Sequence, residues 1–242
     1  GVTSVGINGN NNRKYIISRN TLSQYISMNY DFWDESYVSD FLISENIIST
    51  SQSYGINIEG EDNSSWNGYI SNFDSIRIIS NTITSTSTNS APIIKLQGIS
   101  SSASLVIKDN DVSGNGQYIN AYYVDSITGN KLYGASNANG LVISAGASVV
   151  ANNYITMGGI GNSSGILLQA SASNSKVVYN SINNTGTNST GSIGLQVNGT
   201  PSNLMVKNNI FACTGGGLPV SIASAQTGYD WDYNNYYSTN GN

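Results

Sequence analysis

A short pattern of apolar and polar positions recurs along the chain. It consists of an apolar residue, two intervening residues, an Asn, one further residue and a second apolar residue. The repeated asparagines are Asn20, Asn46, Asn81, Asn110, Asn130, Asn153, Asn180, Asn209 and Asn235, with a mean spacing of (235 − 20)/8, about 27 residues. The position three residues before the Asn is aliphatic in every copy except the last, where Asp232 stands. A repeat of this length is typical of solenoid proteins, whose repeats stack on one another.

The spacing within the pattern predicts a bend at each Asn. Its two apolar positions are five residues apart, so they cannot point to the same side of one straight strand. A bend between them would turn both towards the interior. Asn tolerates the left-handed backbone region better than other non-glycine residues, so we expect the repeated Asn to adopt it. Its amide is expected to bond to the Asn of the next coil and build a ladder.

A third strand signal lies between successive Asn patterns. Segments such as Ile56-Asn57-Ile58 and Ile94-Lys95-Leu96-Gln97 alternate apolar and polar residues with a period of two. Each repeat therefore predicts three short strands, and no stretch has a helical period. The pattern predicts an all-β parallel β-helix of about nine coils with an Asn ladder, as a single domain over residues 1–242. A β-sandwich is the alternative, but sandwich strands need not place Asn at one position every 27 residues.

Four copies of the pattern resemble the right-handed parallel β-helix superfamily, which includes pectate lyases. These copies are 44–48, 79–83, 108–112 and 207–211. The resemblance implies right-handed coils in which each copy ends the second strand, turns at Asn and starts the third. Residues 208–211 and 232–237, with the bias towards Asn, Ser, Thr and Gly, are similar to β-helix regions of large secreted surface proteins from Bacteroidetes-like bacteria. This similarity implies a secreted or cell-surface location, and we expect the chain to be a fragment of a larger protein with flanking domains.

Composition excludes several classes of function. The chain has no His and one Cys, Cys213, which excludes His-based catalytic triads, His zinc sites and an internal disulfide framework. Nine basic against 14 acidic residues give a net charge of −5, which argues against nucleic acid as a partner. The apolar runs are too short to span a membrane.

Acidic and aromatic residues are concentrated in two predicted loops that follow the same strand in successive coils. Stacked coils would bring these loops side by side, with Lys95 one coil further on. The candidate glycan-binding residues are Asp31, Trp33, Asp34, Glu35, Glu59, Glu61, Asp62, Trp66 and Lys95. Aromatic faces stack on sugar rings and carboxylates accept sugar hydroxyls. Calcium is the one cofactor considered, with the hard oxygen ligands Asp31, Glu59, Glu61 and Asp62 as its candidate site.

These features favour a non-catalytic extracellular module for glycan or surface recognition or adhesion, with a polysaccharide or cell-surface glycan as partner. The first alternative is a polysaccharide lyase or glycoside hydrolase of the pectate-lyase-like class. The family's catalytic motifs do not appear, so no catalytic residue is assigned, although Lys95 is the basic residue best placed to act as a base. The second alternative is a structural spacer, in which Phe32, Trp33 and Trp66 only form a small core beneath the loops.

Overall fold

The structure is a computed structural model that describes residues 3–8, 14–29, 37–59, 72–99, 102–134, 137–225 and 227–240. Within these residues the chain forms strands and turns without a helix, and the strands assemble into three parallel sheets of nine strands each. None of the described segments contains a helix that could cross a membrane.

Each sheet takes every third strand of the chain. The first sheet contains β1 (Val5–Asn8), β4 (Ile26–Asn29), β7 (Ile56–Glu59), β10 (Pro92–Gln97), β13 (Gln117–Tyr123), β16 (Leu141–Ala145), β19 (Ser163–Ser171), β22 (Ser192–Val197) and β25 (Leu218–Ile222). The second sheet contains β2 (Lys14–Ser18), β5 (Tyr37–Ser44), β8 (Asn72–Ile79), β11 (Ser104–Lys108), β14 (Ser126–Thr128), β17 (Val149–Ala151), β20 (Lys176–Val178), β23 (Met205–Lys207) and β26 (Asp230–Asp232). The third sheet contains β3 (Thr21–Leu22), β6 (Ile47–Thr50), β9 (Thr82–Ser85), β12 (Asp111–Ser113), β15 (Lys131–Tyr133), β18 (Tyr154–Met157), β21 (Ser181–Asn184), β24 (Ile210–Cys213) and β27 (Asn235–Ser238).

The connectivity is that of a right-handed parallel β-helix. The chain visits the first, second and third sheets in turn, and each strand between the ends of its sheet pairs in parallel with the strands one coil earlier and one coil later. Nine strands per sheet correspond to about eight complete turns in the described residues. The prediction of an all-β parallel β-helix with three strands per coil is therefore confirmed.

The Asn ladder runs through the corner between the second and third sheets. Each Nδ2 group donates to the Oδ1 atom of the next Asn, with N–O distances of 2.9 to 3.0 Å over eight successive steps. The ladder confirms eight of the nine predicted asparagines, but the ninth member is Asn234 and not Asn235. Asn235 instead pairs with Ile210 at the start of β27. The prediction for the last coil was wrong by one residue.

The corrected register removes the one exception to the apolar pattern. Trp231 now lies three residues before the ladder Asn and pairs with Val206, while Tyr236 lies two residues after it. The ring of Tyr236 stacks on Phe211 at 6.0 Å between centroids and 18° between planes. Aromatic residues therefore take the place of the aliphatic residues in this coil.

The left-handed backbone conformation belongs to the residue before the ladder Asn, not to the ladder Asn itself. This corrects the expectation from the sequence. The residues concerned are Arg19, Glu45, Ser80, Asp109, Gly129, Asn152, Tyr179, Asn208 and Tyr233, with φ between 55° and 70°. The ladder Asn is thus selected for its side-chain hydrogen bonds and not for its tolerance of positive φ.

The core lies inside the three sheets. The apolar residues on both sides of each ladder Asn point into it, as the parity argument requires. These buried residues are Ile17, Leu22, Ile43, Ile48, Ile78, Ile83, Ile107, Val112, Ile127, Leu132, Val150, Ile155, Val177, Ile182, Val206 and Phe211. The outward-facing positions of the same strands are left to form the surfaces of the rod.

Candidate functional site

The two acidic-aromatic segments leave neighbouring strands of the first sheet. Residues 30–36 follow β4 and residues 60–71 follow β7, and these strands pair in register from Ile26 with Ile56 to Asn29 with Glu59. The strand ends from which both segments depart are therefore adjacent. Seven of the predicted site residues lie outside the described residues, namely Asp31, Trp33, Asp34, Glu35, Glu61, Asp62 and Trp66.

Glu59 and Lys95, the two candidates within the described residues, contact each other. Lys95 lies on β10, opposite Asn57 of β7, and its ammonium group forms an ion pair with the Glu59 carboxylate. The side chain of Lys95 is 26% exposed and that of Glu59 is 39% exposed. Both groups remain accessible to a ligand, and an ion pair this exposed contributes little to stability.

Asn57 provides a buried polar group directly beside this ion pair. Its side chain points outward, because it stands between Ile56 and Ile58, which are both fully buried in the core. Asn57 is itself only 1% exposed, and its Oδ1 atom has no hydrogen-bond partner in the described part of the chain. Buried polar atoms are nearly always bonded, so this unpaired acceptor is unusual, but its burial keeps it out of reach of a ligand.

The polar surface continues across the next coils of the first sheet. Asn120 on β13 pairs with Lys95, and Gln97 on β10 pairs with Glu59. Tyr122 on β13 is 48% exposed, and the neighbouring ring of Tyr123 meets it edge to face at 4.9 Å.

We call this set of six residues the first-sheet surface. Its members are Asn57, Glu59, Lys95, Gln97, Asn120 and Tyr122. Of these six residues, only Glu59 and Lys95 were predicted from the sequence, because the prediction was based on charged residues and tryptophan. The alternation of polar residues on these strands already predicted that Asn57 and Gln97 face outward. The exposed Tyr122 ring depends on the pairing of β10 with β13, which the sequence does not reveal.

The chemistry of the first-sheet surface suits hydrogen bonding to hydroxyl groups. The amides of Gln97 and Asn120 and one carboxylate supply donors and acceptors, the ammonium group of Lys95 supplies further donors, and Tyr122 supplies an aromatic face. Glu59 is the one carboxylate among these six residues, whereas glycoside hydrolysis requires a pair. Among the described residues no three His, Cys, Asp or Glu side chains are grouped to hold a metal ion. The predicted calcium ligands Asp31, Glu61 and Asp62 lie outside those residues, so Glu59 is the one member whose position is known.

Comparison with known proteins gives one match. A family model described as a right-handed β-helix region matches residues 94–238, which is more than half of the 242-residue chain. No curated protein and no solved structure matches the chain significantly.

Proposed function

Since the chain belongs to the right-handed β-helix family, we propose that it is a non-catalytic extracellular module that recognises a polysaccharide or cell-surface glycan. The first-sheet surface carries this proposal. It combines an exposed aromatic ring, a partly exposed ion pair and the accessible amides of Gln97 and Asn120 on one rigid sheet. Groups held on a regular sheet lose little conformational freedom when they bind.

The two acidic-aromatic segments support the same proposal from the sequence side. They leave the adjacent ends of β4 and β7, so Trp33 lies four residues after the end of β4 and Trp66 seven residues after Glu59 along the chain. The acidic residues of these segments, together with Glu59, would supply oxygen ligands if the recognition requires calcium.

A glycan array read with calcium and with a chelator tests the proposal. We expect binding to at least one polysaccharide or glycan without release of shorter products. Tyr122→Ala and Lys95→Ala should each weaken that binding at least fivefold, because each removes a direct ligand contact. Tyr233→Ala is the matched control, since Tyr233 is 75% exposed in the last coil and far from the first-sheet surface.

Two results would change the assignment. Release of shorter products, abolished by Lys95→Ala, would make the protein a lyase or hydrolase in which Lys95 acts in catalysis. Absence of binding to every glycan, with and without calcium, would favour the structural spacer. Trp33→Ala and Trp66→Ala in the same assay would show whether the two segments contribute to recognition.

A further inference from the structure

The outer face of the third sheet carries a second group of aromatic and polar side chains. Asp111 on β12 pairs with Lys131 on β15, which in turn pairs with Tyr154 on β18. Two residues further along the same strands, Ser113 pairs with Tyr133, and Tyr133 pairs with Thr156. The residues that separate these two rows are Val112, Leu132 and Ile155, which are fully buried in the core. Both rows must therefore point away from it.

Tyr133 lies beside Asp111 and Ser113 of the neighbouring strand on this face. Hydrogen bonding to the Asp111 carboxylate is the largest cause that raises the pKa of Tyr133, and the Ser113 hydroxyl group acts in the opposite direction. Ser113 is itself bonded to Thr84 of the preceding coil at 3.2 Å. The ring nevertheless remains 42% exposed. The ring is therefore available for a sugar ring to stack on.

Tyr154 and Lys131 complete an accessible surface beside Tyr133. Tyr154 is 52% exposed, and Lys131 is exposed without an ion pair to any described residue. Adjacent strands are about 4.8 Å apart and alternate residues about 6.7 Å apart, so the Cα atoms of the two tyrosines are roughly 8 Å apart. This separation is suitable for a short oligosaccharide. We call Asp111, Lys131, Tyr133 and Tyr154 the third-sheet platform.

The charges and unpaired atoms of the platform indicate what kind of ligand it takes. One carboxylate and one ammonium group balance each other, so no charge on the ligand is needed. Asp111 Oδ1 and Thr156 Oγ1 are buried without hydrogen-bond partners in the described part of the chain. Tyrosine faces with hydroxyl-binding groups between them are suited to sugar rings.

We propose that the third-sheet platform is a second binding site, for an uncharged oligosaccharide, separate from the first-sheet surface. The two surfaces lie on different faces of the rod, so one molecule would hold two glycan segments at once. The proposal does not depend on the function assigned to the first-sheet surface.

Calorimetric titration with four neutral hexasaccharides, built from β-1,4-glucose, β-1,3-glucose, β-1,4-xylose and β-1,4-mannose, tests the proposal. We expect at least one to bind, and Tyr133→Ala and Tyr154→Ala each to weaken it at least fivefold. Tyr233→Ala is the matched control that should leave this affinity within twofold, since it removes an exposed tyrosine outside both surfaces. Tyr122→Ala is measured beside it to detect binding of the same sugar at the first-sheet surface.

Asp111→Asn tests the positioning of the Tyr133 ring separately. The substitution removes the charge that favours the neutral phenol, so the pKa of Tyr133 should fall in an ultraviolet titration read against Tyr133→Phe. The sugar affinity should weaken by a smaller factor than in Tyr133→Ala, because the ring is retained but less fixed.

Three outcomes would overturn the proposal. They are absence of binding to all four hexasaccharides, equal weakening by Tyr233→Ala, and weakening by Tyr122→Ala alone. The last result would leave glycan recognition at the first-sheet surface intact while removing the third-sheet platform. Urea unfolding of each variant separates loss of binding from loss of folded protein.

Discussion

At each ladder corner two neighbouring residues have different tasks. The residue before the Asn takes the left-handed conformation, with φ between 55° and 58° at the eight positions that are not glycine. This conformation is costly for side chains such as those of Tyr179 and Tyr233. The Asn that follows is bonded to the coils on both sides, and these bonds offset the strain. The stability of the corner therefore depends more on the Asn than on the preceding residue, which adopts the left-handed conformation.

Asn110→Ala should test this dependence. Its Nδ2 group donates to Asn130 Oδ1 and Ile78 O, each at 2.9 Å, and its Oδ1 atom accepts from the backbone of Asn81 at 2.9 Å. Alanine would leave at least two buried backbone groups without partners, at about 1–3 kcal/mol each. We expect the free energy of unfolding, measured in urea, to fall by about 3 kcal/mol.

Asn234→Ala is the matched control at the last step of the ladder. Asn234 is half-buried, and its side chain bonds to Asn209 and Val206 of the preceding coil. Its removal should cost less than half as much as the Asn110 substitution. Equal losses at the two positions would contradict the role given to burial.

The strands of the second and third sheets place buried and more exposed residues alternately. On β11 the side chain of Ile107 is fully buried, while its neighbour Val106 points outward and is half-buried. Because the strands of one sheet stack in register, each inward residue packs against its counterparts in the neighbouring coils. The loss of stability caused by a substitution should therefore depend on whether its position on the strand points into the core or towards the surface.

Ile107→Asp should lower the free energy of unfolding by several kcal/mol, because it would place an unpaired charge in the core. Val106→Asp, one residue away, should cost less than about 1 kcal/mol, since water can reach the carboxylate. Ile107→Ala, expected to cost about 2–4 kcal/mol, keeps the comparison measurable if Ile107→Asp does not fold. Similar losses for Ile107→Ala and Val106→Asp in urea would contradict the assignment of the two faces.

The whole molecule is an array in which each coil contacts its immediate neighbours. Strand β13 is paired on both sides, with β10 and β16, whereas β25 is paired only with β22 among the described residues. In such arrays the stability of a repeat depends on its own contacts and on those with its neighbours. Coils with two partners should therefore open less often than coils with one.

Amide hydrogen exchange should reveal this difference. We expect the amides of β13 to β15 to exchange at least tenfold more slowly than those of β25 to β27, because opening the central coils breaks contacts on both sides. Uniform protection along the rod would instead indicate that all coils unfold together as one unit.

The repeat was readable from the sequence because its signal is local and occurs nine times. Ile43 and Ile48, placed on either side of Asn46, already indicate two strands that meet at a bend. The error at the last coil arose because Asn234 and Asn235 are adjacent, and testing for apolar flanking residues would have selected Asn234 with Trp231 and Tyr236. The residue that adopts the left-handed conformation was not predicted, because the nine corners have residues as different as Arg19 and Gly129 at this position.

The first-sheet surface and the third-sheet platform differ in how far they can be predicted from the sequence. Lys95 and Glu59 could be placed near each other from repeat spacing, since they lie in consecutive coils. The positions of Tyr122 beside Gln97 and of Tyr133 beside Asp111 depend on residue-by-residue register between coils of unequal length. Composition and periodicity thus establish the coil, its core and its ladder, because burial of apolar groups acts at every repeat. Which outward side chains meet is decided by strand register in the folded rod, because each such contact occurs once and leaves no repeating pattern along the chain.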